Sequence, residues 1–429
     1  MDSGSTQSDP PETVLTNYFG AVNTGDAAIA HSTVAALRNR LGRGPSTIES
    51  WHPEADVGRF SADVLGPLWK PHSPPGSLPV SPFEFVEAAR KLPYLARSLR
   101  RGPTPDTRLL RPHERDLVRR MRRADLIVSC GGGYLHDVFG PVFLRHLYTV
   151  AVATLVDTPV YLNGQSIGPF RSAALGRVAG RILSAVDYIT VRDPRSAIYL
   201  ADIGVTDVPI QVTADNAFLL EPRPPDRDLP ETGGLCVGAT VRRWAYPGQA
   251  DPGTAREQYR DSMAAVFDHL VETYDASLVL FSHTNADVTE ADRIRRRCAH
   301  LDRLRVLAPD VGPRELKGLA GAVDVVIGTR MHSMVFATAM GTPTLCVSYL
   351  PKARTVMGRL DLEEYCVDIA DVTPAVLCAT IDRLLANRRT VSDQLAAEVP
   401  ALVSAAEQNS TVAAALVAGE EPHPSSRSR

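Results

Sequence analysis

The sequence predicts an α/β fold made of two doubly wound halves. Short, uninterrupted apolar runs alternate with stretches long enough for helices, and this alternation occurs twice along the chain. A proline-rich segment, EPRPPDRDLPETGG, separates the two sets. Apolar runs of this kind are typical of strands buried on both faces of a parallel sheet wrapped by helices. At 429 residues with 44% hydrophobic content, the chain is long enough for two such domains around a central cleft.

These observations set the expected boundaries. The first domain covers residues 12–220, the linker 221–233, and the second domain 234–390. A C-terminal helix follows over 391–418, long and amphipathic enough to pack back on the first domain. Both ends, 1–11 and 419–429, are polar and rich in Ser and Pro, a composition that predicts disorder.

Glycines and polar residues follow several predicted strands of the first half. The strand over 14–20 leads through a Gly-Asp pair into a helix, the stretch 125–137 is a buried strand that ends in three glycines, and the strand 159–163 is followed by a polar loop. Backbone amides in such turns can approach a ligand closely, although a turn glycine with an aspartate cap is the structural alternative. The candidates are Gly25, Asp26, Gly132, Gly133, Asp137, Gln165 and Ser166.

The strongest signal lies in residues 324–352. DVVIG predicts a buried strand and SMVFATAM a helix, with Arg330, Met331 and His332 in the turn between them. TLCVSY then predicts a strand that returns Lys352 to the same edge of the sheet. Unpaired N–H groups and the helix dipole favour an anion at such a turn, and a guanidinium and an imidazole are placed there together. A surface charge and a helix cap are the alternatives. YITVRD places Arg192 at another strand end, in the first half.

Composition narrows the classes of function. A net charge of −3 gives no general argument for nucleic-acid binding. Six scattered cysteines without a CxxC pair predict buried thiols rather than disulfides or a zinc site, and His31, His136, His283 and His332 fall in separate loops. The N-terminus lacks signal-peptide features and no apolar window is long enough to span a bilayer, so a cytoplasmic protein is expected. The scattered cysteines and histidines predict that it binds no metal.

A basic stretch follows the first helices. Between Arg90 and Arg123 there are twelve Arg or Lys residues and three acidic residues. Such a stretch is most often a solvated helix face. The alternative is a surface that faces a phosphorylated or membrane-bound substrate, which would give peripheral association with the inner face of the membrane.

Seven segments, in this order and spacing, resemble the polysaccharide pyruvyl transferase family. They are NTGDAAI, GGGYLHD, GQSIGP, VRDPRSAIYLADIGV, TADNAF, GTRMHSMVFATAMGTP and SYLPK, and the resemblance extends over about residues 14–385. It implies two Rossmann-like domains arranged as in B-type glycosyltransferases, the first on the acceptor side and the second on the donor side. It also implies transfer of the enolpyruvyl unit of phosphoenolpyruvate to a sugar, usually as a cyclic ketal with release of phosphate, in polysaccharide or cell-envelope biosynthesis.

The residues suit this chemistry. Phosphoenolpyruvate carries a carboxylate and a phosphate, which arginine forks bind bidentately, so Arg192 and Arg330 are predicted to bind the donor from solvent-lined strand ends. Lys352 supplements them, and the Arg-x-His triplet of the family falls on Arg330, Met331 and His332. His332 is the predicted proton donor, because an imidazole exchanges protons near neutrality. Asp26 or Asp137 would orient or deprotonate an acceptor hydroxyl, and the remaining strand-end candidates would bind the acceptor. No cofactor beyond the co-substrate is expected.

Two other functions remain open at this point. A glycosyltransferase or sugar-nucleotide epimerase would use a similar pair of domains, but it would want an acidic residue late in the second half to hold a ribose, where this chain offers Ser333 and Thr338. A non-catalytic anion-binding relative is the other. The acceptor could be a sugar, a glycan or a lipid-linked saccharide. At Ala27, where the family often has an acidic residue, the chain departs from the family pattern.

Overall fold

The computed structural model describes residues 10–69, 82–99, 108–138, 143–227, 229–230, 234–307 and 310–422. The chain forms two compact units. The first comprises Met1–Ala21, Ile29–Asn216 and Ala405–Arg429, and the second comprises Val22–Ala28 and Ala217–Ser404. Most of each predicted disordered tail (1–9 and 423–429), and the parts 70–81 and 100–107 of the proline- and arginine-rich region, lie outside the described residues.

In the first unit, eight of the described strands form one parallel sheet in the order β3-β2-β1-β4-β6-β7-β8, with β5 paired to β6. Its strands are β1 Thr13–Tyr18, β2 Thr47–Ser50, β3 Asp63–Leu65, β4 Leu126–Ser129, β5 Gly132–Leu135, β6 Val160–Ile167, β7 Tyr188–Val191 and β8 Ile210–Val212. The helices in this part of the sequence are α1 Thr24–Leu41, α2 Pro53–Asp56, α3 Pro82–Leu99, α4 Pro112–Arg123, α5 Phe143–Ala153, α6 Ala173–Leu183 and α7 Pro194–Asp202.

The second unit contains a six-stranded parallel sheet in the order β11-β10-β9-β12-β13-β14. Its strands are β9 Cys236–Thr240, β10 Ser277–Phe281, β11 Leu304–Val306, β12 Val325–Gly328, β13 Thr344–Ser348 and β14 Cys366–Asp368. The helices in this part of the sequence are α8 Pro252–Tyr274, α9 Asn285–Arg295, α10 Pro313–Gly321, α11 Met331–Ala339, α12 Pro351–Gly358, α13 Pro374–Ala386 and α14 Arg388–Ala418. Residues of β9, β10 and β12 such as Val237, Leu278 and Ile327 are fully buried, as continuous apolar runs predict.

The predicted class, two parallel α/β units, is confirmed. All six cysteines are free thiols. No helix among the described residues is long and apolar enough to cross a bilayer.

Several local predictions are wrong. The sequence predicted a loop after residue 163, but β6 continues to Ile167, so Gln165 and Ser166 lie in a strand. The three-glycine turn contains the short strand β5, which pairs with β6. β2, β3 and β14 were not predicted, because their sequences TIES, DVL and CVD contain polar residues and lack the continuous apolar run by which the other strands were recognised.

The division of the chain also differs from the expected boundaries. Val22–Ala28, expected in the first domain, groups with the second unit, and the second unit begins at Ala217 rather than after a linker at 221. The last part of α14, from Ala405, groups with the first unit. There Asn409 donates to the carbonyl of Ala214, and Thr213 donates to Asn409. Hydrogen bonds between residues nearly 200 positions apart cannot be recognised from local pattern.

Candidate active site

The strand order of the second sheet identifies where a ligand is expected. The chain reverses its winding direction between β9 and β12, and in open α/β sheets ligands bind outside the carboxyl ends of the strands at such a point. The turn after β12 is tied to the end of β9. The hydroxyl of Thr240 accepts hydrogen bonds from the backbone N–H groups of Thr329 (3.1 Å) and Arg330 (3.2 Å). These backbone hydrogen bonds therefore hold Arg330 at the switch point.

Arg330 is held on one edge of its guanidinium and open on the other. Its Nε and Nη2 donate to the Asp287 carboxylate, and Nη2 also donates to the Thr284 hydroxyl at 3.2 Å. Asp287 is almost fully buried, whereas the Arg330 side chain keeps 13% of its surface exposed. Within the described part of the chain, no hydrogen bond uses Nη1. The guanidinium is thus oriented by protein on one side and presents an N–H pair on the other.

His332 lies in the first turn of α11 and packs against Gly25. A Cβ atom added at Gly25 would lie only 2.1 Å from Nδ1 of His332, so the imidazole occupies the space that a side chain at position 25 would need. Gly25 is held in place through Thr24, whose N–H and hydroxyl both donate to the carbonyl of His283, at 3.2 and 3.3 Å. The absence of a side chain at Gly25, in the NTGD segment, therefore leaves room for the His332 imidazole.

A second histidine supports this arrangement. His283, at the end of β10, is buried, and its Nε2 lies 3.0 Å from the hydroxyl of Ser333. Because that hydroxyl donates to Thr240, Nε2 of His283 is the donor in this pair. Burial, together with the positive charge of Arg330, lowers the pKa of His283 well below its ordinary value. His283 is accordingly a neutral, hydrogen-bonded part of the scaffold and not an acid.

Three cations surround one phenol next to these residues. Arg242, just after β9, donates from Nη1 to the Tyr349 hydroxyl at 2.6 Å, and its guanidinium lies 4.3 Å from the centre of the Tyr349 ring. Burial alone would raise the pKa of Tyr349, but the positive charges of Arg242, Lys352 and Arg330 lower it below its ordinary value. Burial and the neighbouring Arg330 charge lower the pKa of Arg242. The site therefore concentrates positive charge in a partly desolvated space.

The predicted residues Gly25, Asp26, Arg330, Met331, His332 and Lys352 all lie in this second unit. Asp26, in the first turn of α1, is partly buried, and its negative charge raises the pKa of Arg330 together with Asp287 and Tyr349, against the effect of burial. Met331 is 5% exposed and points its side chain into the core, so only its backbone is available to a ligand.

Arg192 is placed differently from its prediction. The expectation that it lies at a solvent-lined strand end is wrong, because its side chain is only 1% exposed. Its Nη1 pairs with Asp215 at 2.5 Å, and its Nε donates to Ser166 at 2.8 Å. Ser166 in turn donates to Asp193, the N-cap of α7. The VRD and TAD segments therefore form a buried polar network in the first unit, and Arg192 belongs to that network.

The other first-unit candidates also use their side chains internally. The carboxylate of Asp137 accepts from the N–H groups of Arg171 and Ser172, both at 2.8 Å. Gln165 is fully buried and donates to the carbonyl of Cys130 and to the hydroxyl of Tyr134. Gly132 and Gly133 lie in β5. A Cβ atom at Gly132 would lie 2.7 Å from the Tyr134 ring, so this glycine makes room for an aromatic side chain.

Sequence reasoning missed four residues of the site: Arg242, His283, Asp287 and Tyr349. Two carried a recognisable signal, because Arg242 directly follows the strand run GLCVGATVR and Tyr349 stands inside SYLPK. Asp287 carried none, since its role depends on a contact across 43 positions with Arg330. Among the residues that the structure describes, no group of three or more His, Cys, Asp or Glu side chains is arranged to hold a metal ion.

Comparison with known proteins identifies relatives. The sequence model described as Polysaccharide pyruvyl transferase matches residues 23–351. The amylovoran biosynthesis protein AmsJ of Erwinia amylovora is 25% identical over 298 residues, which cover 65% of this chain and 70% of that protein.

Solved structures share the fold at low sequence identity. A putative UDP-N-acetylglucosamine 2-epimerase from Listeria monocytogenes is 14% identical with a TM-score of 0.61, and the match covers 96% of this chain and 98% of that one. Anabaena HepE, solved with UDP and glucose, is 12% identical with a TM-score of 0.58, over 95% and 100% of the two chains. The glycotransferase of kitacinnamycin is 16% identical with a TM-score of 0.55, over 96% and 100%. These similarities establish the fold of two Rossmann-like domains seen in epimerases and B-type glycosyltransferases.

Proposed function

Because the chain belongs to the polysaccharide pyruvyl transferase family, which it matches over residues 23–351, we propose that it transfers the pyruvyl group of phosphoenolpyruvate to a sugar as a cyclic ketal. Family membership and the AmsJ relative make it a glycan-modifying transferase. The observation that carries it is the group of three cations, Arg242, Arg330 and Lys352, around Tyr349.

The charges suit this donor. Phosphoenolpyruvate bears a carboxylate and a phosphate, and the three cations face two carboxylates, Asp26 and Asp287. Three cations close to two carboxylates favour the binding of an anion. The open N–H pair of Arg330 can bind two oxygens bidentately, and Arg242 and Lys352 bind the other anionic group. Because these side chains neutralise the phosphate, the proposed reaction requires no bound metal.

His332 supplies the proton in the proposed reaction. Protonation of the methylene carbon of phosphoenolpyruvate produces a methyl group and leaves positive charge at C2, where a first sugar hydroxyl adds and loses its proton. Phosphate then leaves C2 with the electron pair of the C–O bond, and a second hydroxyl of the same sugar takes its place. His332 follows Arg330 by two residues, so the imidazole and the guanidinium proposed to bind the donor come from the same turn. Asp26, partly buried in the same unit, accepts a hydroxyl proton.

Incubation with phosphoenolpyruvate and a panel of sugars, glycans and lipid-linked saccharides tests this function. We expect phosphate release that depends on an acceptor, and an acceptor product heavier by one pyruvate less one water. UDP-sugars should neither be consumed nor compete with phosphoenolpyruvate. Consumption of a UDP-sugar without phosphate release from phosphoenolpyruvate would instead indicate the glycosyltransferase or epimerase alternative.

Replacing Arg242 or Arg330 by methionine is expected to weaken phosphoenolpyruvate binding by about 1.5–3 kcal/mol, the range for hydrogen bonds to charged groups. Titration calorimetry without acceptor measures this. Arg242 gives the cleaner result, because its guanidinium donates to the Tyr349 hydroxyl and its loss leaves no buried carboxylate without a hydrogen-bonding partner. Arg296→Met, an exposed arginine of the same unit, is the matched control. Unchanged donor affinity in both site variants would contradict the assignment.

The contact between Gly25 and His332 yields a separate prediction. Gly25→Ala must displace the imidazole, because the new Cβ atom would lie 2.1 Å from Nδ1. Displacement of a reacting group by about 1 Å can reduce the rate by about 10²-fold, so kcat should fall while donor affinity changes little. Gly312→Ala is the control, since a Cβ atom there meets nothing within 4 Å. Equal kcat values for the two variants would show that the position of His332 is unimportant.

A further inference from the structure

The first sheet has a switch point of its own, between β1 and β4. The backbone there is irregular. Asn17, near the end of β1, has a φ of +61°, and the pairing of β1 with β2 shifts register between Leu15 and Tyr18. A left-handed asparagine and a bulge at strand ends are features that concentrate at functional sites, where they redirect a side chain. Asn17 is thereby directed to Ser129 at the end of β4, to which its side-chain amide donates at 3.2 Å.

A stack of three aromatic rings lies on this switch point. The His146 ring is sandwiched between Trp51, at 4.3 Å, and Tyr134, at 4.1 Å, and its Nδ1 lies 3.1 Å from Oδ1 of Asn17. Phe19, at the end of β1, is 5.9 Å from Trp51. His146 is 3% exposed, whereas Phe19, Trp51 and Tyr134 are each partly exposed. The buried imidazole thus orients two flanking rings, each of which belongs to a partly exposed residue.

The polar groups around the stack are uncharged or buried. Burial lowers the pKa of His146 to about 3, so its ring is neutral. Burial also raises the pKa of Glu49, a fully buried carboxyl that accepts hydrogen bonds from the N–H groups of Asn17 and Leu68 and from the Thr149 hydroxyl. Within the described residues, Nε1 of Trp51 and Oε1 of the fully buried Gln165 have no hydrogen-bond partner. Gln165 is joined to the stack by its bond to the Tyr134 hydroxyl, at 3.0 Å.

We propose that Phe19, Trp51 and Tyr134 form a platform that binds a neutral pyranose ring of the acceptor. The identification of this ligand as the acceptor rests on the proposed function, but the binding of a pyranose at the platform does not. Pyranose C–H groups pack on aromatic faces, and hydroxyl groups of the ring bond to polar groups at the rim. A neutral stack with unsatisfied donor and acceptor atoms suits such a ligand better than an anion. It also gives Gly132 and Gln165 their role, which is to place and hold Tyr134.

Tryptophan fluorescence tests the proposal without turnover. The chain has three tryptophans, of which Trp69 is 9% exposed, and Trp244 packs 4.7 Å from Tyr349 in the second unit. Methyl β-D-galactopyranoside and methyl β-D-glucopyranoside should change the emission of the wild-type protein and of Trp244→Phe, and the change should be lost in Trp51→Phe. Phosphoenolpyruvate should change the emission of the wild-type protein and of Trp51→Phe, and this change should be lost in Trp244→Phe. Each variant therefore serves as the folding control for the other.

Affinity measurements complete the test. Trp51→Ala and Phe19→Ala should weaken glycoside binding by about tenfold each, in proportion to the stacking lost, while Ile198→Ala, an exposed apolar residue of the same unit, should not. A glycoside signal that persists in Trp51→Phe, unchanged affinity in both alanine variants, or binding of uridine in place of glycosides would overturn the proposal. Loss of the phosphoenolpyruvate response alone would count against the proposed function and leave the platform standing.

Discussion

Replacing His332 by glutamine is expected to reduce the rate of pyruvyl transfer by a factor of about 10² to 10⁴, the contribution of a general acid. Glutamine keeps the size and hydrogen bonding of the imidazole but cannot deliver a proton at neutral pH. Donor affinity should stay near normal, because Arg242, Arg330 and Lys352 remain. Steady-state kinetics and calorimetry on the same variant separate the two quantities.

A surface histidine of the same unit provides the matched control. His300→Gln, which removes an imidazole bonded to Glu272, should keep the wild-type rate of pyruvyl transfer. Wild-type turnover in His332→Gln, or lost donor binding with an unchanged rate for bound substrate, would assign His332 a packing or ligand-holding role.

The placement of Arg330, His332 and Lys352 together in the second unit could be predicted from sequence, because their signal is local. Arg330 and His332 are two residues apart at a strand–helix turn, and Lys352 follows the next strand. In a parallel sheet, the carboxyl ends of neighbouring strands lie at one edge, so spacing along the chain determined proximity in space. The structure adds what spacing does not contain, namely that Asp287 orients Arg330 and that Thr240 holds the turn.

The first half shows why the same reasoning fails elsewhere. Gly-rich and polar residues at strand ends suggested acceptor contacts, yet Asp137, Gln165 and Ser166 use their side chains for internal hydrogen bonds. A glycine or polar residue at a strand end can close a turn as readily as it can contact a ligand. Whether such a residue bonds internally or contacts a ligand depends on hydrogen-bond partners 26 to 36 residues away, which the local sequence pattern does not reveal. The aromatic stack of Trp51, Tyr134 and His146 gave no signal either, because its members are dispersed among three elements.

Substitution of Arg192 tests whether this side chain stabilises the fold or binds a ligand. Arg192→Met should lower the free energy of unfolding by about 3–5 kcal/mol, because it leaves the Asp215 carboxylate buried without its ionic partner. Denaturant unfolding measures the change. Arg195→Met, an exposed arginine three residues away, should be neutral. Replacing both members, as Arg192→Met with Asp215→Leu, should recover much of the loss, since removing an entire buried ion pair costs far less than removing half of it.

The alternative outcome is equally specific. If Arg192 bound phosphoenolpyruvate, Arg192→Met would lose donor affinity at unchanged stability, as expected for the partly buried Arg242. An arginine with 1% exposure that already bonds Asp215 and Ser166 would have to give up both bonds and leave the core to reach a ligand. Uncovering the buried charge of Asp215 opposes that movement. We therefore expect the phosphoenolpyruvate affinity of correctly folded Arg192→Met, measured below its unfolding transition, to match that of the wild type.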